Sequence, residues 1–427
     1  MNKSLLNQTD IETPIDRSAQ SIPTVTEPTI TEATMAPAPR LRLHYLDGLR
    51  GLAALYVVLT HAYLQVTMKP ESVQLPDWVW SATKWLEYGN FSVVIFIILS
   101  GYCLALPIAR SQALKQGFWH YLQRRAKRMI PPYYGGLILS WVLIATVPLL
   151  QQSTGTIWDS VHPAFKPQYI ITHLLLVHNI LGGYTTINYP LWTVSTEWQI
   201  YFTLPLILLP LWKRFGLAKM LGVAILLGYL PPMIFHGKLE MMKLWYFSHF
   251  AFGVTAAIVS LSTNPKLIKF RQQMPWGWLS GFFSILALTI ALPQSREWMT
   301  QYELYIDFLV CLAAVSFLMY AHQSSSQMLE HQTARSNFAP GIWILSVLNH
   351  PWIIHLGVFS YSLYLTHAPI LALCDLPLQA AGVSPMVRLG LDFAIATPLC
   401  VGFAYLFYWL IERHFINSPA PQKSSPN

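Results

Sequence analysis

The chain has 427 residues, of which 54% are hydrophobic and only 11% are charged. Soluble globular domains usually carry about 25% charged residues, so this composition excludes an ordinary water-soluble core and indicates a membrane protein. The formal net charge is +8, but the basic residues lie beside apolar segments, which is typical of membrane topology and not of nucleic-acid binding. The four cysteines have no metal-ligand spacing, so we predict neither a disulfide framework nor a metal site.

The two ends of the chain differ in composition from its centre. Residues 1–40 are rich in Thr, Pro, Ser and Ala without an apolar period, which predicts a disordered cytoplasmic tail. They hold no apolar core followed by a small-residue cleavage site, so a signal peptide is not predicted. Residues 43–415 are predicted to form a transmembrane domain, and residues 416–427 a short disordered tail.

Apolar runs recur through the central region, and a spanning helix needs roughly 20 apolar residues. Residues 168–181 are shorter and contain His173 and His178, so they predict a re-entrant or interfacial piece. The longer runs predict an all-α, polytopic integral membrane bundle of about ten transmembrane helices, at residues 46–66, 90–108, 130–150, 192–212, 217–235, 245–262, 276–293, 304–321, 352–374 and 389–411.

The distribution of basic residues orients this bundle. If the N-terminus is cytoplasmic and the spans alternate, 19 of the 27 lysines and arginines fall inside and seven outside. Cytoplasmic loops carry an excess of Lys and Arg. The bias therefore predicts an even number of spans with both termini cytoplasmic, in a plasma or inner membrane.

The first span, LDGLRGLAALYVVLTH at residues 46–61, carries three ionisable groups. Arg50 and His61 are eleven residues apart, so at ~100° per residue they share one helix face, about 16 Å apart along the axis. Asp47 precedes Arg50 by three residues and can pair with it. Such groups normally face a bundle interior or a wet cavity. Either Asp47 and Arg50 lie at the interface while His61 caps a neighbouring helix, or the face is a polar channel in which His61 exchanges a proton.

The segment RRAKRMIPPYY brings Arg125 and Arg128 to one helix face on the predicted cytoplasmic side. Arginine pairs bind phosphate bidentately. A basic loop beside a membrane span is also expected from topology alone. Its position next to the Arg50 end of the first span favours the phosphate site.

The segment YPLWTVSTEWQIYF places Glu197 at the predicted outer end of the fourth span, near Trp192 and Ser195. The aromatic residues of this stretch fit an ordinary interfacial belt. A carboxylate that enters an apolar run, however, needs a partner, and it could orient His61 by accepting from one ring nitrogen.

Two further segments carry weaker signals. Tyr364 and His367 lie three residues apart in SYSLYLTHAP, a spacing that fits satisfied core groups as well as a cavity. Gly101, in SVVIFIILSGY, is predicted to allow close approach of another helix.

Taken together, these segments resemble the membrane-bound acyltransferase type 3 family, whose members O-acylate carbohydrates and other extracytoplasmic acceptors. Five motifs occur in the family's order between residues 43 and 415. They are the Arg–ten residues–His motif at Arg50 and His61, the Ser-Gly-Phe element at Ser100, Gly101 and Tyr102, the Arg-x-x-Arg element at Arg125 and Arg128, the Trp-Ser-Glu segment at Trp192, Ser195, Glu197 and Tyr201, and the late Tyr-His element at Tyr361, Tyr364 and His367. Tyr102, Trp198 and Thr366 depart from the usual residues and leave the acceptor and acyl preference open.

The resemblance implies acetyl-CoA or another acyl-CoA as donor substrate, reached from the cytoplasm, without a metal. It implies donor binding by Arg125, Arg128, Ser100 and Gly101, and catalysis by His61 as general base with Arg50 and Glu197. Glu197 would either orient His61 or bind the acceptor. Its acceptor would be a carbohydrate or another hydroxyl-bearing molecule at the membrane lipid. The residues expected around that acceptor are Asp47, Trp192, Ser195, Tyr201, Tyr364 and His367.

Two other functions compete with this interpretation. A proton-coupled transporter or exporter would also keep His, Arg and Glu inside its bundle, but the two halves of the chain show no convincing internal repeat of the kind many transporters have. A catalytically inactive binding or scaffold protein is the third hypothesis. Binding of coenzyme A distinguishes the enzyme from the transporter.

Overall fold

The computed structural model describes residues 43–69, 73–235, 239, 242–330 and 342–416. The predicted tail at residues 1–40, and the second predicted tail from residue 417 onward, lie outside the described residues. The described residues form helices and no strand, which confirms the all-α prediction. The α-helices of this part of the chain are α1 His44–Thr67, α2 Asp77–Thr83, α3 Asn90–Ala105, α4 Gly117–Thr146, α5 Pro167–Leu174, α6 His178–Leu181, α7 Trp192–Thr203, α8 Leu209–Phe215, α9 Leu217–Ile234, α10 Trp245–Leu261, α11 Pro265–Gln273, α12 Trp276–Ala291, α13 Arg296–Gln301, α14 Glu303–Glu330, α15 Ile342–Leu348, α16 Pro351–Val358, α17 Ser360–Ala380, α18 Pro385–Leu391 and α19 Thr397–Leu410.

The number of helices that could cross a membrane is smaller than the ten predicted spans. Two bent pairs of helices are long and apolar enough to cross a membrane only when each pair is counted as one span. They are α10 with α11, bent by 105°, and α16 with α17, bent by 73°. The described residues therefore offer six to eight spans, and ten is not confirmed. The six unbroken candidates are His44–Thr67, Asp77–Ala105, Gly117–Thr146, Leu217–Ile234, Glu303–Ser326 and Pro385–His414.

Two predicted spans account for the difference. The span predicted at 192–212 is α7 and α8 joined by a π-helical segment, Leu204–Leu208. The span predicted at 276–293 is α12, which is apolar but has only 16 residues. Residues 168–181 form the short helices α5 and α6, in agreement with the prediction that they are not a full span. The sidedness of the termini stays a prediction.

Helix α1 lies against α16, α17 and α3, and glycines bring it very close to α16. A Cβ atom added at Gly357 of α16 would lie 1.9 Å from the carbonyl oxygen of Asp47, and one at Gly51 would lie 2.7 Å from the backbone of α16. Only a residue without a side chain fits at either position. The glycines thereby fix the first turns of α1, from which Arg50 projects.

The second close crossing joins α3 to α10. A Cβ atom at Gly101 would lie 2.2 Å from the carbonyl oxygen of Phe250, and one at Gly253 would lie 2.1 Å from that of Ile98. Small residues on both helices allow the backbones to touch, as membrane helix packing favours. The close approach predicted at Gly101 is confirmed.

Candidate active site

A cavity of about 140 Å³ lies at the Arg50 end of α1, and we call it the arginine cavity. Three arginines from two helices converge on it. Its other polar lining includes one carboxylate and several hydroxyls. The polar and ionisable lining residues are Arg50, Ser100, Cys103, Arg125, Arg128, Thr193, Glu197, Tyr201, Ser360, Tyr361 and Tyr364.

The guanidinium of Arg50 is held by two neighbours. Nη1 donates to Asp47 Oδ1 at 3.2 Å, which confirms the predicted pair, and Nη2 donates to Cys103 Sγ at 3.0 Å. The side chain of Arg50 remains 22% exposed. Because these contacts use two of the five N–H donors of the guanidinium, the other donors stay available to a ligand in the cavity.

Arg125 and Arg128 reach the same cavity from α4, as their three-residue spacing predicts. The Nε of Arg125 is buried and has no hydrogen-bond partner within the described part of the chain. A buried donor without a partner costs free energy, which an acceptor bound in the cavity would recover. The cavity is thus suited to an anion with several oxygens.

Glu197 also lines the arginine cavity, and this placement differs from the expected one. Its Oε1 accepts a hydrogen bond of 2.5 Å from the hydroxyl of Tyr201, one helical turn further on. The hydroxyl of Ser100 in turn donates to that of Tyr201 at 3.3 Å. Within the described residues Glu197 therefore bonds to Tyr201 and not to His61, and its orientation of His61 stays a prediction that this geometry does not support.

His61 instead contacts another histidine. Its Nδ1 lies 2.8 Å from Nε2 of His367, with the two rings nearly parallel at 2°. On the far side of its ring, Nδ1 of His367 lies 2.9 Å from the carbonyl oxygen of Leu363. A carbonyl only accepts, so this Nδ1 carries a hydrogen, and a neutral His367 then accepts at Nε2. His61 donates from Nδ1, which leaves a free lone pair on its Nε2.

His61 opens into a second cavity of about 360 Å³, which we call the histidine cavity. The ring of Tyr189 packs edge-on against His61 at 4.9 Å, and Trp192 lines the wall. Trp192 is stacked on Tyr184, with ring centres 4.9 Å apart. An aromatic face beside a histidine base suits a bound molecule with both C–H and hydroxyl groups.

The charged residues that line the histidine cavity, Glu87, Arg296 and Glu303, all form ion pairs. Arg296 donates to Glu87 at 3.3 Å, and Lys84 donates to the other oxygen of Glu87 at 2.7 Å. Lys243 forms an ion pair with Glu303. With its carboxylates neutralised in this way, the cavity offers hydrogen bonds without a strong net charge.

Tyr364 lies where the two cavities adjoin, since it and Val93 line both of them. Its hydroxyl accepts a hydrogen bond of 2.7 Å from Thr193. Its ring meets that of Phe96 edge-on, with centres 6.1 Å apart. A group that moves from the arginine cavity to the histidine cavity therefore passes Tyr364.

Two residues predicted for the site lie in the protein interior instead. Gly101 packs against α10, as described above, while Ser100 beside it lines the arginine cavity. Ser195 is fully buried and donates to the carbonyl oxygen of Leu176 and to Asn179 Oδ1, at 2.9 and 2.5 Å. Ser195 thus anchors α7 to the α5–α6 segment.

The structure also adds residues that the sequence analysis missed. Cys103 lies in the last turn of α3 and contacts Arg50, but its apolar sequence neighbours gave no indication of a polar contact. Asn90 lines the histidine cavity and donates to the buried Asp307 at 2.9 Å. Arg296 and Glu87 lie outside the cores of the predicted spans. Within the described residues no group of three or more His, Cys, Asp or Glu side chains is arranged to hold a metal ion.

Comparison with known proteins gives one family. The sequence model of the Acyltransferase domain family matches residues 43–410. A protein of Staphylococcus aureus (strain COL) named "Putative O-acetyltransferase" is 22% identical over 394 residues, which cover 87% of this chain and 56% of the relative. The acyltransferase MdmB of Streptomyces mycarofaciens is 30% identical over 170 residues, 40% of each chain. The chain spans about half the length of the Staphylococcus relative. No solved structure matches it.

Proposed function

Because the chain belongs to the acyltransferase 3 family of membrane proteins, we propose that it moves an acyl group from acyl-CoA to a hydroxyl of a carbohydrate or similar acceptor. The acyl group is proposed to be acetyl, and the acceptor to lie outside the cytoplasm. The proposal rests above all on the arginine cavity and the histidine cavity, which adjoin at Tyr364. The three arginines of the arginine cavity suit an anion, and in the histidine cavity Nε2 of His61 has a free lone pair.

The donor is proposed to bind in the arginine cavity. Coenzyme A carries phosphates, and Arg50, Arg125 and Arg128 outnumber Glu197 as charges in the cavity wall. The buried Nε of Arg125 would find its acceptor there. Since coenzyme A is a cytoplasmic donor, the proposal places the Arg50 end on the cytoplasmic side of a plasma or inner membrane, in keeping with the positive-inside rule.

The acyl thioester is proposed to extend from the arginine cavity towards His61. Arg50 and His61 are about 16 Å apart along α1, a distance that the pantetheine arm would span. The path runs past Tyr364 and Val93. Tyr364 would then mark the point where the thioester meets the acceptor.

In the proposed reaction His61 acts as general base. Its Nε2 takes the proton of the acceptor hydroxyl, and the oxygen attacks the thioester carbonyl carbon. The new C–O bond forms, the C–S bond breaks, and the coenzyme A thiolate leaves with the proton returned by His61. His367 accepts from Nδ1 of His61 throughout and stabilises the transient imidazolium.

The histidine cavity supports a neutral, hydroxyl-rich acceptor. Its carboxylates are already paired with Arg296, Lys84 and Lys243. Trp192 offers an apolar ring face, and Asn90 and Thr185 add hydrogen-bonding groups. This combination favours a carbohydrate over a phosphorylated or cationic acceptor, since mismatched charges would break existing ion pairs.

Thermal unfolding of the purified protein with acetyl-CoA tests the proposed donor. A ligand that binds only the folded state raises the midpoint of unfolding. We expect stabilisation of the wild type and its loss in the Arg125→Ala/Arg128→Ala variant. The Lys213→Ala/Arg214→Ala variant removes two exposed basic residues at the end of α8 and should behave as the wild type. Stabilisation that is absent in the wild type, or equal in all three proteins, would contradict the proposed donor site.

A further inference from the structure

A third cavity lies apart from the arginine and histidine cavities, and we call it the α12–α14 groove. It has a volume of about 940 Å³ and is lined mainly by apolar side chains of α1, α3, α12, α14 and α15. It shares no lining residue with the other two cavities. Leu49 and Leu52 of α1 line it, whereas Arg50 between them lines the arginine cavity.

The groove runs along α12 from Trp276 to Leu288. Twelve residues of helix measure about 18 Å, which is comparable to half of a hydrocarbon core of ~30 Å. The outer face of α12 is strongly exposed, with Trp278 at 79% and Ile285 at 67%. In a membrane this face borders lipid, so the groove opens towards lipid chains and not towards water.

One end of the groove is polar and adjoins a basic helix. Gln323 and Ser324 line this end on α14, and Met274 and Trp276 line it on the other side. Helix α11, which directly precedes Met274, carries Lys266, Lys269 and Arg271. The sequence from Ser262 to Arg296 contains no Asp or Glu. The basic residues of α11 therefore have no acidic neighbour along this stretch of the chain.

Helix α11 is fixed against the groove mouth. The indole nitrogen of Trp276 donates to the carbonyl oxygen of Arg271 at 2.8 Å, and Phe270 packs edge-on against Trp276 at 5.4 Å. The guanidinium of Arg271 donates to the carbonyl oxygens of Val259 and Ser260. Lys266 and Lys269 remain exposed and lie on a helix whose direction turns by 105° from α10.

We propose that the α12–α14 groove binds an anionic phospholipid of the leaflet on the α11 side. The acyl chains fill the apolar groove along α12, and the headgroup lies among Gln323, Ser324, Lys266 and Lys269. Basic residues at a membrane surface attract anionic lipids, and apolar surface in the groove adds to the affinity. Such a lipid packs behind α1 and α3 and supports the wall of the arginine cavity. No residue that lines the groove takes part in the proposed acyl transfer.

Gly281 allows the groove to be filled without disturbing its walls. It lines the groove, and a Cβ atom added there meets nothing within 4 Å. Gly222 of α9 is a matched control, because it is also helical and also open to 4 Å but lies outside the groove. A Gly→Leu change gives the same gain in helix propensity at both positions. Only the change at Gly281 occupies the volume that a lipid chain needs.

The experiment counts phospholipids on the full chain. Protein is reconstituted in vesicles of equal phosphatidylcholine and phosphatidylglycerol, extracted in mild detergent and measured by native mass spectrometry. We expect the wild type and Gly222→Leu to retain phosphatidylglycerol in preference to phosphatidylcholine, and Gly281→Leu to retain at least one lipid fewer. Phosphatidylglycerol should also raise the unfolding midpoint of the first two proteins more than that of Gly281→Leu.

A charge variant tests the headgroup separately. Lys266→Gln/Lys269→Gln should lose the preference for phosphatidylglycerol, while Lys213→Gln/Lys219→Gln, which changes two other exposed lysines, should keep it. If the wild type retains no phospholipid, or Gly281→Leu retains as much as the wild type, the groove is not a lipid site. If both lipids are retained equally by the wild type, the proposed headgroup contact is wrong.

Discussion

Nδ1 of His61 and Nε2 of His367 lie 2.8 Å apart, although 306 residues separate the two histidines in the chain. The carbonyl oxygen of Leu363 fixes the hydrogen of His367 on Nδ1. The donor and acceptor atoms of the pair are thereby set, and the free lone pair of His61 lies on Nε2. A histidine, and not the expected carboxylate, orients the proposed base.

The first prediction concerns His61 itself. His61→Ala should lower kcat by about 100-fold to 10,000-fold, the range that general-base catalysis contributes, without abolishing stabilisation by acetyl-CoA, since the arginine cavity is unchanged. The measurement is transfer of labelled acetyl from acetyl-CoA. His355→Ala serves as the control, because this histidine is exposed on α16 and away from both cavities. Full activity of His61→Ala would contradict the proposed role of His61 as general base.

The second prediction concerns His367 as a positioning residue. His367→Leu removes the acceptor for Nδ1 of His61, so kcat should fall at least 10-fold while KM for the donor changes little. His367→Gln places an amide oxygen near the same atom and should recover part of the loss. The two variants are compared by steady-state kinetics. If His367→Gln recovers activity that His367→Leu loses, a purely structural role for His367 is contradicted. If both variants are as active as the wild type, the positioning role is contradicted.

The third prediction concerns Tyr364 as the partition between the cavities. Tyr364→Ala should connect them, so that a membrane-impermeant thiol reagent applied only at the His61 end reaches Cys103 in the arginine cavity. Tyr364→Phe keeps the ring and should leave Cys103 protected. All proteins carry Cys374→Ser, since Cys374 is half-buried whereas Cys311 and Cys400 are buried. Proteoliposomes of one orientation and mass spectrometry of the labelled peptide measure the effect. Labelling of Cys103 in the wild type from that end would show that Tyr364 is not a barrier.

The fourth prediction concerns pH and the α5–α6 segment. The rings of His173 and His178 stack with centres 3.9 Å apart. Burial lowers the pKa of His173 to about 4, and burial together with the neighbouring His173 lowers the pKa of His178 to about 3. The unfolded chain binds these protons near pH 6.5, whereas the folded chain binds them only near pH 3–4.

Stability should therefore be unaffected by these groups above pH 6.5 and fall between about pH 6.5 and 4, by up to about 1.4 kcal/mol per pH unit for each histidine. Because Asn179 of the same segment bonds to Ser195 and Gln199 of α7, acid should also loosen α7. His178→Phe should flatten the fall of the unfolding midpoint with acid, and the exposed His355→Phe should not. If the unfolding midpoint falls equally with acid in the wild type, His178→Phe and His355→Phe, protonation of His178 does not cause the loss of stability.

The sequence analysis was most accurate for the relative positions of residues on the same helix. The eleven-residue spacing of Arg50 and His61, the Asp47–Arg50 pair and the shared direction of Arg125 and Arg128 all follow from helix geometry, and the contacts of Arg50 and the lining of the arginine cavity agree with them. Hydropathy predicted ten spans, whereas the described residues offer six to eight, because the bends of 105° and 73°, the break between α7 and α8 and the short α12 are not visible in an apolar average.

Contacts between helices could not be predicted in the same way. Glu197 was expected beside His61 because both were placed in the outer half of the bilayer, yet α7 carries it to the arginine cavity. The depth of a residue depends on where its helix begins and how it tilts, and sequence leaves both open. The His61–His367 contact depends on the crossing of α1 and α17, which the glycines of α1 and α16 help to fix.

The last prediction tests that crossing directly. A Cβ atom at Gly357 would lie 1.9 Å from the carbonyl oxygen of Asp47, so Gly357→Ala must displace either α16 or the first turns of α1. Inserting atoms into a closed contact of this kind costs about 1–3 kcal/mol. The same displacement moves Arg50 relative to Arg125 and Arg128. We therefore expect a lower unfolding midpoint and a weaker stabilisation by acetyl-CoA.

Gly402→Ala is the matched control, because a Cβ atom there meets nothing within 4 Å. Alanine favours a helix by about 1 kcal/mol over glycine, so this variant should be as stable as the wild type or slightly more stable. The decisive comparison is the midpoint shift that acetyl-CoA produces in each protein. If Gly357→Ala unfolds earlier but keeps the full shift, the crossing stabilises the fold without setting the donor site. If Gly357→Ala keeps both the unfolding midpoint of the wild type and the full shift with acetyl-CoA, the close contact between α1 and α16 does not constrain Arg50.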